Sequence, residues 1–457
     1  MTTMTTMTTM TNMPETNMPE KSTTDLLAAD FERLNGVAQA SLATIRRAAF
    51  DRFGQLGYPT TRHEQWKYTS VKPITEAAFR LADAPSTPSH QHQLAEYIFT
   101  DDEHRMVFVN GRFEPALSAG AALPRGVHLN SLANASAENA ATIQSHLARH
   151  AGYDDAAFVA LNTAFLHDGA FIRIERGVVV EKPIHLMFIT QPGHTPGVVH
   201  PRVLIIVEDD ASATVIDTYA GPDGSKYFTN AVTEVVVGEK SSIDHYRIGR
   251  EGDGAFHIGR LNLHQSRSSN VTSHIATLGG ALVRNEINAA IDAEDCNCDI
   301  YGVYAASGTQ HVDNHLRIDH LKPNCNSREL FKGILDGHAT GVFRGRILVA
   351  IDAQKTDAKQ TSRSLLLSDN ARARSAPQLE IFADDVKCTH GATIGQLDED
   401  AMFYMQARGI SRGEARDMLI FAFANEAIAE IRHQPIRVKL EALLWERLPH
   451  SSLTRGP

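Results

Sequence analysis

The sequence predicts a mainly β protein whose long β region is flanked by helical segments. Three observations carry this. From about residue 155 to residue 395, short alternating apolar runs follow one another, punctuated by Gly, Asp and Asn. No helical period interrupts them. Before and after this stretch, apolar residues recur at helical spacing. Many short, evenly spaced strands mean a sandwich, a barrel or a solenoid. One closed barrel needs fewer strands, whereas coils of ~20–30 residues would stack into roughly ten rungs. A solenoid and two packed sandwiches both fit the spacing.

Residues 1–22 repeat Met-Thr-Thr and then Asn-Met-Pro-Glu, with almost nothing branched or aromatic to bury. They read as a disordered tail. Residues 23–154 read as an N-terminal, mainly helical domain. Leu26, Leu27, Phe31, Leu34, Ala38, Leu42, Ile45 and Ala49 recur at roughly helical spacing. Arg62, Trp66, Lys67, Tyr68 and Thr69 form a polar-aromatic patch, read as an anchor for this domain. Residues 83–89 are a Pro/Ser-rich loop. Residues 106–109 read as a strand and 136–149 as helix. Residues 155–395 form the β core, with runs at 171–174, 178–180, 203–207, 213–216, 232–237, 300–303, 316–318 and 347–351. Residues 396–457 return to helix. Asp398 caps a first helix that Gly409 stops. Ser411 and Glu414 form a capping box for a second, which carries Met418, Leu419, Phe421, Ala422, Ala424, Ile428 and Ile431. Pro435 begins a third. Helices this apolar must pack on something.

The 457 residues suffice for two or three domains and a large core. A net charge of −10 and pI near 6.1 argue against nucleic-acid binding. No apolar run approaches bilayer length, and no secretory signal is evident. Four Cys make no disulfide framework, so a reducing cytoplasm fits.

Several motifs fail as sites. Gly254 and Gly259 have phosphate-loop spacing, but Arg260-Leu261 stands where Lys and Ser/Thr would hold phosphate and magnesium. No nucleotide site is expected in this chain. Cys296 and Cys298 share a strand face, yet Asp295 and Asp299 oppose thiolate formation. These are read as buried structural thiols, as is Cys325 after the turn Pro323-Asn324. His311, Asp313 and His315 share a strand face near His320 and resemble a three-ligand zinc pattern. Asp384-Asp385 evokes a polysaccharide-active β-helix enzyme, but adjacent strand carboxylates face opposite ways.

Cys388 and His390 are the most informative pair. On a strand, residues two apart project together, setting a thiolate beside an imidazole. Thiolate suits iron–sulfur clusters and zinc, and imidazole suits iron and zinc. The run after them, Gly395-Gln396-Leu397-Asp398-Glu399-Asp400-Ala401-Met402-Phe403-Tyr404-Met405-Gln406-Ala407-Arg408-Gly409, resembles the end of the core in the SufB/SufD family of SUF iron–sulfur cluster assembly scaffolds. Leu161-Asn162-Thr163-Ala164-Phe165, Asp168-Gly169, Glu181-Lys182-Pro183-Ile184 and Gln310 to His315 are similar to the family and in its order. So are Phe331 to Leu335, Ala353 to Ala358 and Leu365 to Ser368. The Gly391 after His390 favours the SufD side of the family.

The resemblance implies a right-handed parallel β-helix core. It implies a non-enzymatic scaffold that pairs with SufB through the β-helices and binds the ATPase SufC through the C-terminal helices. Phe403, Met418, Leu419, Phe421 and Ile428 are the docking residues this assigns. It implies a transient iron–sulfur cluster shared with the partner, with Cys388 and His390 as cluster and metal ligands. An isolated chain is expected to form a homodimer. The competing readings are a β-helix enzyme, polysaccharide-active or zinc-dependent, and a structural adaptor without cluster chemistry.

Overall fold

The computed structural model describes residues 23–36, 42–84, 94–100, 102–119, 122–134, 137–191, 193 and 195–448. The expected tail at 1–22, and residues 85–89 of the Pro/Ser-rich loop, lie outside the described residues. Alternating runs become strands because one face meets the interior and the other meets solvent or a flanking helix. They form two sheets that face each other, and the chain passes from one to the other and back. One sheet stacks Val127–Ser131, Ala170–Ile174, Arg202–Val207, Tyr227–Val237, Phe256–Gln265, Leu282–Ile291, His311–His320, Thr340–Val349 and Arg372–Ile381. The other stacks Arg112–Phe113, His104–Val109, Ile184–Ile189, Ser212–Ala220, Ser242–Arg250, Asn270–Thr277, Asn297–Ala306, Asn326–Leu335, Asp357–Leu366 and Lys387–Gly395. This is a parallel β-solenoid of about eight turns, not two sandwiches.

Pairing is in register, so like residues pile on like. Ile172, Ile205, Val235, Leu263, Ala289, Ile318 and Ile347 form one interior column, ending on half-buried Leu379. One corner repeats a non-glycine residue in the left-handed region: Asp210, Lys240, Ser268, Asp295, Asn324 and Lys355, with φ of 56–64°. Each backbone N–H there donates to a carbonyl of the next turn, which offsets the strain.

Four expectations differ, the first being that Ala157–Ala164, read as part of the β core, forms a helix. Residues 178–180 make only an isolated bridge at Val179, which lies exposed on a turn. The 347–351 run ends at Val349, and Ile351 projects from the next turn. The sheets also begin before residue 155. His104–Val109 pairs in parallel with Ile184–Ile189, and Val127–Ser131 pairs antiparallel with Ala170–Ile174, capping the first turns.

The N-terminal helices Thr23–Asn35 and Ala43–Leu56 pack with Ala157–Ala164 around Phe31, Phe53, Phe158 and Phe165. That cluster covers Phe228, Phe256 and Leu282 on the outer face of the first sheet. Buried polar contacts lock it there. Arg202 pairs with Glu234 at 2.5 Å and donates to Asn162 Oδ1 and Thr163 Oγ1 at 3.0 and 3.1 Å. Glu234 also accepts the backbone N–H groups of Ala148, His150 and Ala151, each at 2.9 Å. Asp168 accepts from Ser131 Oγ and Phe113 N–H. Gly169 is needed because a Cβ there would lie 2.0 Å from the Arg202 carbonyl oxygen.

The C-terminal helices are Glu399–Gln406, Arg412–Ile428 and Gln434–Arg447. Asp398 accepts from Asp400 and Ala401 N–H, the Ser411–Glu414 box is formed, and Gly409 has φ +87°. Ile420, Ala424, Ile428, Ile436, Leu440 and Leu444 pack on Ile248, Val303, Ile334 and Leu365 of the second sheet's outer face. Buried Lys332 reaches out of that sheet to Glu426.

Burial raises the Glu234 carboxyl, but Arg202 and the N–H groups of Ala151 and Ala148 outweigh it and hold the group below the usual carboxylate range. Its stabilisation is therefore complete above the unfolded Glu value of about 4.3 and is lost as pH falls through the lower folded value. Glu234→Ala leaves Arg202 buried without its charge and is expected to cost about 3–5 kcal/mol. Urea denaturation at pH 7 checks this. Glu234→Gln should flatten the acid limb of the stability profile.

Candidate functional site

Each sheet ends on a strand with one neighbour. Arg372–Ile381 pairs only with Thr340–Val349, and Lys387–Gly395 only with Asp357–Leu366. Lys387–Gly395 is largely exposed and Arg372–Ile381 is mostly half-buried, unlike the buried rungs before them. Apolar side chains surround this end: Ile351, Ile381, Phe382 (62% exposed) and Ile394.

Cys388 and His390 lie on the final strand, opposite Ala358 and Gln360. Alternation puts them on one face, as the spacing predicts. Cys388 is half-buried against the interior column, and His390 is exposed. Burial pushes the Cys388 thiol up; the Ala358 backbone hydrogen bond lowers it partly, and Asp357 raises it further. In the free chain it is therefore a thiol, and a metal or a base must take its proton before it can ligate. Among the described residues, no group of three or more His, Cys, Asp or Glu side chains converges on an ion-sized centre. A four-ligand cluster would need more donors than this pair offers.

The other thiols are internal. Cys296, Cys298 and Cys325 are free and fully buried. Cys296 Sγ donates to Ser266 O at 3.1 Å and Cys325 Sγ to Ala293 O at 3.1 Å. Burial, then Asp299 and Glu329, push Cys298 up.

The zinc reading of His311, Asp313 and His315 is corrected. They share a face, but the Arg284 guanidinium occupies its centre. Arg284 pairs with Asp313 and donates to His315 Nδ1 at 2.7 Å. Thr69 Oγ1 donates to Asp313 Oδ2 at 2.6 Å and lies 2.9 Å from His311 Nε2. Burial and Arg284 push His315 down to about 4. His320 points inward instead, against Ser327 Oγ at 2.9 Å. Arg284 also lies 4.0 Å over the Trp66 ring, so the Trp66 patch and these histidines form one seam holding the N-terminal helices to the sheet. A cavity of about 460 Å³ beside this seam contains three arginines, each already paired: Arg260 with Glu286, Arg317 with Asp319 and Arg346 with Glu380.

Two further motifs resolve. Residues 256–261 lie within strand Phe256–Gln265, leaving no phosphate loop before a helix. Asp384-Asp385 sits in a bend rather than on a strand, where Asp385 pairs with Lys355. On the C-terminal helices, Phe403 (73% exposed) and Met418 (50%) face outward, while Leu419 and Phe421 are half-buried. Ile428, assigned from sequence to docking, is 1% exposed and holds its helix to the solenoid, so it is withdrawn from that role. Tyr404, Val438 and Trp445 are exposed apolar residues that the sequence reading did not single out. Their spacing carried no signal apart from that of the buried face.

Sequence comparison agrees with this geometry. The family described as SUF system FeS cluster assembly, SufBD core domain, matches residues 188–423, and the SufBD protein N-terminal region matches 17–186. An iron–sulfur cluster assembly SufBD family protein of Synechocystis is 33% identical, over 87% of this chain and 89% of that protein. The iron–sulfur cluster assembly protein SufD of Escherichia coli is 32% identical, over 86% of this chain and 90% of that protein. Its Bacillus subtilis counterpart is 24% identical over 92% and 98%. With both family regions matched in order along the same solenoid, the chain belongs to the SufBD family of SUF-system iron–sulfur cluster assembly proteins.

Proposed function

We propose that this chain is a SufD-type scaffold whose open solenoid end pairs with that of SufB, and that an iron–sulfur cluster is built at this junction. The observation that carries the reading is the unpaired final rung bearing Cys388 and His390. An uncovered strand edge presents free N–H and C=O groups and invites another strand. Ile381, Phe382 and Ile394 add apolar surface for such a contact. Cys388 and His390 supply part of the ligand set and the partner supplies the rest. The role is scaffolding, not turnover. The four free thiols suit a reducing compartment such as the cytoplasm. Without SufB, the same edge pairs with a second copy of this chain.

The outward face of the C-terminal helices docks SufC. Phe403, Tyr404 and Met418 form its apolar part, with Leu419 and Phe421 supporting it from the partly buried side. SufC would supply ATP hydrolysis, and this chain binds no nucleotide itself. Calorimetry of the isolated chain with ATP and magnesium should show no micromolar binding.

Co-expression with SufB and SufC, followed by anaerobic purification and iron and sulfide analysis, tests the site. Cys388→Ala and His390→Ala should assemble normally yet retain only a small fraction of the wild-type cluster. Wild-type cluster content in both assembled variants would move the chemistry onto the partner.

Removing the C-terminal helices would bare Ile248, Val303, Ile334 and Leu365, so a truncation cannot separate docking from folding. Exposed substitutions can. Phe403→Asp and Met418→Asp should leave thermal unfolding unchanged and weaken SufC retention at least tenfold, because a charge placed in an apolar contact is costly. Undiminished retention by the double variant would refute this docking face.

A further inference from the structure

Directly beneath His390 the solenoid interior changes character. Lower rungs of that column read Ile184, Val215, His245, Ser273 and Ile300, and in the last three turns it reads Glu329, Gln360, His390, paired in register. Glu329 and Gln360 are each 1% exposed. Gln360 Nε2 donates to Glu329 Oε2. The amide's other end, Oε1, has no hydrogen-bond partner although it is buried. A buried amide oxygen left unpaired is costly unless something covers it in the working state.

Gln360 is also held in place from across the interior. A Cβ on Gly345 would lie 2.2 Å from Gln360 Nε2 and 2.6 Å from Oε1, so only glycine lets the amide lie there. Polarity follows from these contacts. The donor end of the amide is taken by Glu329 below, so the acceptor end is left for the rung above. Burial pushes Glu329 up to about 8, so it lies neutral under the amide at pH 7 and adds no charge to the site.

We propose that Gln360, held by Glu329 and Gly345, is a positioning residue that accepts the imidazole N–H of His390 and so leaves the other ring nitrogen free as a ligand. A ligating histidine usually donates its second N–H to a carbonyl or carboxylate, which sets tautomer and ring orientation. Here the acceptor belongs to the interior column, one turn away from the ligand. The inference rests on the reading of His390 as a ligand in the covered junction.

The test uses the purified complex with SufB and SufC, free of cluster, titrated anaerobically with Co²⁺. The thiolate-to-metal absorption band is followed together with complex recovery and thermal unfolding. Gln360→Leu should weaken Co²⁺ binding about 10–100-fold, the usual effect of losing such a partner. Its band intensity at saturation should match wild type, because Cys388 is untouched. Gly345→Ala, which displaces the amide without changing any polar group, should weaken binding in the same direction and serves if Gln360→Leu does not fold. Glu329→Gln retains an oxygen for Gln360 Nε2 and should stay within about twofold of wild type, whereas Glu329→Ala should not. Wild-type affinity in assembled Gln360→Leu, beside weak binding by His390→Ala, overturns the positioning role alone. Wild-type affinity in His390→Ala overturns the ligand reading, and the positioning role with it.

Discussion

In-register parallel pairing satisfies each strand through neighbours on both sides, so a stack of such turns always lacks a neighbour at its ends. The fold is organised around that constraint. At the first turns, strands from the N-terminal region close the stack, His104–Val109 in parallel and Val127–Ser131 antiparallel. At the other end no strand among the described residues pairs beyond Arg372–Ile381 or Lys387–Gly395. The exposed end carries the cysteine and histidine, and the closed end carries no comparable pair. The same register that builds the apolar columns therefore delivers a thiol and an imidazole, already on one face, to an unpaired edge.

Holding that edge in shape requires the flanking helices to stay fixed, and buried charges do much of this. Arg202–Glu234 and Arg284–Asp313 fasten the N-terminal helices to one sheet, and Lys332–Glu426 fastens the C-terminal helices to the other. Buried ion pairs are weak sources of net stability, because desolvation nearly cancels their attraction. They are strong sources of position, because any other arrangement leaves a charge buried alone. Lys332 lies on strand Asn326–Leu335, and Arg363, which also meets Glu426, lies on Asp357–Leu366, the strand directly under Cys388 and His390. The C-terminal helices thus contact two consecutive strands of one sheet, the second of them directly under the candidate site.

Much of this was legible in the sequence. Alternation placed Cys388 and His390 on one strand face, and the Asp398, Ser411 and Glu414 caps marked two helix starts to the residue, because each is a local rule of backbone geometry. Handing strands to a solenoid instead of two sandwiches was not legible from alternation, since the period of two is the same in both. Ile428 and Met418 look alike on a helix, and only the sheet beneath tells which is covered. The His311, Asp313 and His315 face read as a metal site because Arg284, on the neighbouring strand, is invisible at that distance in sequence. The strand at 106–109 was legible, but its parallel pairing with 184–189 and the strand at 127–131 were not, because both are short runs far in sequence from their partners.

The site is chemically incomplete in the free chain, and the incompleteness has a direction. Cys388 holds its proton because it is half-buried without a nearby cation. Covering the edge with apolar surface alone would bury it further and raise the thiol more. A metal reverses this, since coordination removes the proton outright. In the proposed junction, apolar cover and metal therefore act on this thiol in opposite directions, and the metal decides its state. On the proposed reading, the sulfur keeps its proton until a metal takes its place.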